Sequence, residues 1–143
     1  MAFLSTAGQA TKEETEEFYA AMGADKDDFT KKLITAIERV NDKEKAQMIG
    51  NLFVNLVRGQ FSKEIFVRLT FIIEGIYTDD LLSIKDKGSL LYALKKFEER
   101  PEPIFIQPLL TNNLITTART NPLSSSPIKY ELTDLGEVFR KFS

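Results

Sequence analysis

The sequence predicts a mainly α fold: an orthogonal helical bundle followed by a compact C-terminal unit with one small antiparallel β-hairpin. Three observations lead there. Apolar residues recur at three- and four-residue spacing through most of the first hundred positions. These runs open on Thr, Asp or Ser, and two of them close near a Gly, as helices do. Only at residues 114–132 does the pattern change, to two short β-prone runs on either side of the loop TNPLSSSP, a hairpin signal.

Residues 1–10 are expected to be a flexible tail. Thr11 and Glu14 then form a capping box, with Thr11 as N-cap and Glu14 at N3, opening a helix over about 12–22 that stops near Gly23. Asp27 or Asp28 caps a second helix to about Asn41, with Phe29, Leu33, Ile37 and Val40 as its apolar stripe. Asp42 restarts the chain. Ala46, Ile49, Leu52, Phe53, Leu56 and Val57 give the third helix a broad apolar face, and Gly59 closes it at C′. Ser62 caps a fourth helix, with Phe61 and Phe66 at the spacing of a hydrophobic staple. Ile65, Leu69, Ile72 and Ile76 line that helix, Phe66, Ile73 and Tyr77 broaden the stripe, and so apolar a helix is expected to be central. Thr78-Asp79-Asp80 reads as a cap or a tight junction before Leu81-Leu82. A further helix is predicted over about 88–99, ended by Pro101 and Pro103. Ile104-Phe105-Ile106 follows as a short apolar stretch, then a short helix from about Pro108. After the hairpin, Thr133 caps a closing helix, with Asp134 in its first turn. Leu114, Ile128, Tyr130 and Leu132 should form the hairpin's inward face, covered by Val138 and Phe142, with Phe139 at the edge. The domain reading is a tail at 1–10, a bundle at 11–99 and a C-terminal subdomain at 100–143 packed on it.

Composition narrows the chemistry. The 143 residues are 43% hydrophobic and 28% charged, enough for a real core in one domain or two intimately packed subdomains. There is no Cys and no His. That removes disulfides, the usual zinc ligands, the commonest general base and the usual partner of a nucleophilic Ser. No secretory signal opens the chain, and the longest apolar run, LTFIIEGIY, is short and broken by Glu74. A cytoplasmic protein without membrane association is expected. Net charge is −2, unevenly spread. Residues 11–30 hold seven acids against two lysines, whereas residues 101–143 balance four acids with four bases.

The candidate chemical motifs have plain structural explanations. Asp79-Asp80 and Asp27-Asp28 are oxygen donors a hard cation could use, but Asp is a common helix cap and no further ligand spacing is visible. Ser126-Pro127-Ile128-Lys129 matches the S-x-x-K spacing of serine acyl-enzymes, yet lies in a loop entering a strand instead of at a helix start. The seven Gly stand singly, so no phosphate-cradling loop exists. No residue is assigned to catalysis, to a cofactor or to a metal. Glu13, Glu16, Glu17 and Asp27 form a candidate acidic docking surface.

Tyr130, Leu132, Thr133 and Gly136 match the (Y/F)xLTxxG stretch that follows the wing in winged-helix proteins, so residues 100–143 resemble a winged-helix unit. That resemblance implies a wing at the hairpin and a helix entering the DNA major groove just before it. The candidate partner or DNA surface is then Gln107, Asn112 and Asn113 on that helix, with Arg119 and Lys129 on the wing. Gln and Asn can read adenine edges. The segment is electrically neutral, however, and phosphate contacts supply most of the affinity for DNA, so binding should be weak. Residues 46–84, through Gly59, Ser62, Phe66, Leu69, Asp80 and Leu81, resemble uncharacterised bacterial and phage accessory proteins of abortive-infection type. The resemblance implies a non-enzymatic protein-interaction or regulatory role in such a setting, with a protein partner and a second copy of the chain as candidates. Two alternatives are a winged-helix transcriptional regulator and an acidic phage inhibitor of a host nucleic-acid enzyme.

Overall fold

The computed structural model describes residues 6–40, 42–85, 103–117 and 130–143. The chain is mainly helical, with one small two-stranded antiparallel sheet near its C-terminus. It divides into two compact units, Met1–Gly75 with Phe142–Ser143, and Ile76–Lys141. The boundary expected at 99–100 falls outside the described residues, as do the helix expected at 88–99, the loop 119–127 and Ile128.

The first unit holds α1 (Lys12–Met22), a 3-10 turn (Gly23–Asp25), α2 (Lys26–Arg39), α3 (Lys43–Val57) and α4 (Lys63–Gly75). Ahead of α1, Thr6–Ala10 is the described part of the expected tail. The segment is turned by hydrogen bonds from Gln9 N to Thr6 O and from Ala10 N to Ala7 O, and Thr6 is buried. The capping box of α1 forms as the sequence requires. Thr11 Oγ1 accepts from Glu14 N at 3.1 Å, and Glu14 Oε2 accepts from Thr11 N at 2.8 Å. Neither Asp27 nor Asp28 caps α2. The 3-10 turn runs straight into that helix, so both carboxylates fall inside its first turn, where the positive end of the helix dipole favours them. Asp42 caps α3 by accepting from Glu44 N at 2.8 Å and Lys45 N at 3.3 Å. The end of α3 is a Schellman motif. Gly59 has φ +73°, its N–H reaches Leu56 O at 2.9 Å, and Gln60 N reaches Asn55 O at 3.0 Å. Ser62 Oγ accepts from Ile65 N at 3.3 Å at the start of α4.

Four phenylalanines, one from each helix, close a circuit at the centre of this unit. Phe18 of α1 meets Phe29 of α2 at 5.8 Å and Phe53 of α3 at 6.2 Å, and Phe66 of α4 meets Phe29 at 5.6 Å and Phe53 at 6.3 Å. The centroid spacings are those of favourable edge-on and tilted ring pairs. The central helix is α3, not α4. Met48, Ile49, Gly50, Leu52, Phe53, Val54 and Leu56 bury it on nearly every side, while α4 leaves Val67 and Phe71 in solvent. Two amides of α3 also serve the chain's last carbonyls: Asn51 Nδ2 donates to Ser143 O at 2.9 Å and Asn55 Nδ2 to Phe142 O at 3.3 Å. The ring of Phe61 lies 5.6 Å from that of Phe142.

The second unit contains α5 (Thr78–Lys85), α6 (Pro103–Thr111), β1 (Ile115–Thr117), β2 (Tyr130–Leu132) and α7 (Asp134–Phe142), whose last residue belongs to the first unit. Tyr77, expected to broaden the α4 stripe, is 73% exposed, because α4 has ended by then. Pro103, not Pro108, begins α6 and takes the Ile-Phe-Ile stretch into the helix. Proline suits the first helical position, where its missing N–H costs nothing. Pro108 sits inside α6. A second Schellman motif ends α6, this time on Asn113 at φ +57°, with Asn113 N on Leu110 O at 3.0 Å and Leu114 N on Leu109 O at 3.0 Å. Leu109 and Leu114 are both buried, as the accompanying apolar pair of that motif should be.

The hairpin pairs Ile115 with Leu132, Thr116 with Glu131 and Thr117 with Tyr130. Leu114 and Ile115 are buried, whereas Tyr130 and Leu132 are half-buried. From α7 the fully buried side chain is Phe139, while Val138 and Phe142 are half-buried, which reverses the expected ranking. The register of α7 is fixed by Gly136. A Cβ there would overlap the Leu114 carbonyl oxygen and come within 3.1 Å of Leu132 Cδ2. Thr133 completes the junction. Its N–H donates to Leu114 O at 3.1 Å, its hydroxyl donates to Asn113 O, and its Oγ1 accepts from Gly136 N at 3.0 Å.

Candidate functional site

The most distinctive surface lies within the first unit, between α2 and α4. The apolar faces of these helices supply its floor through Phe29, Leu33, Ala36 and Phe66. Val67 and Phe71, one turn apart on α4, form one wall and stay 38% and 72% exposed. Lys31, Lys32 and Arg39 of α2 stand along the other side, and Glu74 closes one end. The groove measures about 260 Å³. That is below the roughly 300–1,000 Å³ of small-molecule sites and matches one or two inserted side chains.

The charges here are unevenly satisfied. Lys32 Nζ is held by the Asp28 carboxylate at 2.8 Å, which lowers the pKa of that acid and raises that of the lysine. Arg39 reaches Glu74 only at 3.9 Å. Lys31 takes part in no ion pair among the described residues. The groove therefore offers apolar surface bordered by available positive charge.

Of the amides expected to face DNA, Gln107 lies within α6 and Asn112 and Asn113 follow its last turn, and each has a local task. Gln107 Nε2 donates to Thr111 Oγ1 at 3.1 Å, and Asn112 Nδ2 donates to Pro108 O at 2.8 Å. Asn113 is the left-handed residue that ends the helix, and its carbonyl receives the Thr133 hydroxyl. Arg119 and Lys129 lie outside the described residues, as does the Ser126–Lys129 motif. Of the acidic surface, Glu13, Glu16, Glu17 and Asp27 are all exposed. Glu16 pairs with Lys12 at 3.7 Å, and the other three enter none of the ion pairs among the described residues. Glu14 is not part of that surface: its carboxylate serves the capping box and pairs with Arg58 at 3.3 Å.

Asp79 and Asp80 both lie in the first turn of α5. Burial, and then the neighbouring Asp79 carboxylate, raise the Asp80 pKa from its ordinary value. Among the described residues no three His, Cys, Asp or Glu side chains converge as metal ligands, and no helix is long and apolar enough to cross a membrane.

The groove residues were missed by sequence reasoning, although a signal existed. Val67 and Phe71 are large apolar residues of the groove wall that fall outside the stripe assigned to α4. Apolar residues left over after each stripe is assigned are candidates for surface recognition.

No protein-family model, no curated protein and no solved structure matches this chain.

Proposed function

We propose that this chain is a non-enzymatic protein-interaction protein of regulatory type, and that the groove between α2 and α4 is its contact surface. The observation that carries this reading is Phe71. An aromatic ring 72% exposed, beside a half-exposed Val67 and over an apolar floor, is the arrangement of an interaction anchor. Lack of His and Cys in the sequence supports the non-enzymatic part. The bacterial or phage accessory setting comes from the resemblance in residues 46–84. Against the DNA-regulator reading, the side-chain amides of Gln107 and Asn112 are engaged locally.

The test compares proteins captured from lysate by the parent chain and by Phe71→Ser and Tyr77→Ser variants, with nuclease present and absent. Both substitutions are at exposed rings, so folding should be retained. The expected result is a nuclease-resistant set of proteins lost with Phe71→Ser and kept with Tyr77→Ser. Capture that is unchanged by Phe71→Ser, or that disappears with nuclease, rejects the reading.

A further inference from the structure

The groove has a chemical preference as well as a shape. Its floor and α4 wall are apolar, which calls for apolar side chains from an occupant. Its α2 side is cationic, with Lys31 free of ion pairs among the described residues and Arg39 only loosely opposed by Glu74 at 3.9 Å. This local excess of positive charge sits on a chain of net charge −2. A basic segment docking there would bring its charges against Lys31 and Arg39, since Lys32 is already paired with Asp28, and like-charge contacts penalise wrong partners. A phosphate backbone would leave Phe71 and Val67 without apolar partners.

Resting on the reading that this groove is the contact surface, we propose that its occupant is an acidic amphipathic helix from a protein partner. The helix inserts one or two apolar side chains, spaced at i and i+4, beside Phe71, and its flanking carboxylates face Lys31 and Arg39. This is the helix-in-groove mode of recognition, with charge setting the choice of partner. The volume of about 260 Å³ limits insertion to one or two side chains, so affinity depends strongly on the Phe71 wall.

The test uses the full chain and two synthetic peptides of about 16 residues, above the roughly 12–15 below which isolated helices are marginal. Both carry the same apolar stripe. One has Glu on its flanks and the other has Lys at the same positions. Fluorescence anisotropy should show the acidic peptide binding at least about tenfold tighter, a difference of about 1.4 kcal/mol. The preference should shrink as salt is raised, because exposed charges are screened. Phe71→Ser should weaken the acidic peptide at least about tenfold, as for an interface anchor. Lys31→Glu combined with Arg39→Glu should reverse the preference between peptides. Equal binding of both peptides, tighter binding of the basic one, or binding of neither overturns the proposal. A Phe71-dependent dimer in analytical ultracentrifugation also overturns it, since a second copy would then be the occupant. Phe71-dependent capture from lysate alongside any of these results would leave the interaction reading standing and remove only the acidic partner.

Discussion

Two helices of this chain begin on the same Thr-x-x-N3 frame and solve it in opposite ways. At α1, Thr11 caps Glu14 N, and the Glu14 side chain returns to Thr11 N. At α7, Thr133 caps Gly136 N, but the Thr133 N–H is satisfied by the Leu114 carbonyl. That carbonyl occupies the space where an N3 side chain would stand, so the residue there has no side chain. The first start is exposed and supplies its own partners. The second is joined to the hairpin and draws its partner from another element. The preference for Glu or Gln at N3 therefore depends on whether another group already satisfies the N-cap N–H.

Replacing Gly136 should have the largest effect on this contrast. Gly136→Ala should cost the upper end of the roughly 1–3 kcal/mol typical of overpacking, because the obstructing atom is backbone and cannot rotate away. Chemical denaturation measures the loss, and faster hydrogen exchange at Thr116 and Glu131 should locate it. A variant as stable as the parent would mean that α7 does not depend on the close approach. Thr133→Ala comes next. It removes the cap and the bond to Asn113 O, and should reach the upper part of the roughly 0.5–2 kcal/mol range for N-caps. Thr133→Ser should restore most of that loss. Thr11→Ala should sit at the low end of the same range, because its helix start is exposed and water can replace the hydroxyl. Equal losses at Thr11 and Thr133 would erase the distinction between the two starts.

The smallest effect is a pH dependence at α1. The hydrogen bond from the Thr11 backbone, and then the charge of Arg58, hold the Glu14 pKa below its ordinary 4.5. The carboxylate thus contributes stability that is present above about 4.5 and lost as pH falls through the lower folded value. Parent and Glu14→Gln should differ in melting temperature at neutral pH and converge below that window. A difference that grows in acid would reverse the sign and reject the ion-based account.

Most helix ends were legible because caps are local. Thr11 with Glu14, Asp42, Gly59, Ser62 and Thr133 all act within a few residues of where they are read. Burial was less legible. An apolar stripe says which face can be covered, not what arrives to cover it, so α4 looked more central than α3. Pro108 resembles a helix start in the sequence because Pro103, five residues earlier, reads there only as a stop. Asn113 was assigned to reading bases, yet its tolerance of the left-handed conformation is what ends α6. The exposed wall of the groove is Val67 and Phe71, residues that the stripes have no use for.

The circuit of four phenylalanines also sets an order on synthesis. Phe18, Phe29 and Phe53 emerge first, and together they make only two of the four ring contacts. Both remaining contacts need Phe66, the last of the four to leave a ribosome. Up to that residue, the nascent first unit holds an open chain of aromatic rings. One ring, that of Phe66, makes both of those remaining contacts, so a single loop closure, the docking of α4, gains them together.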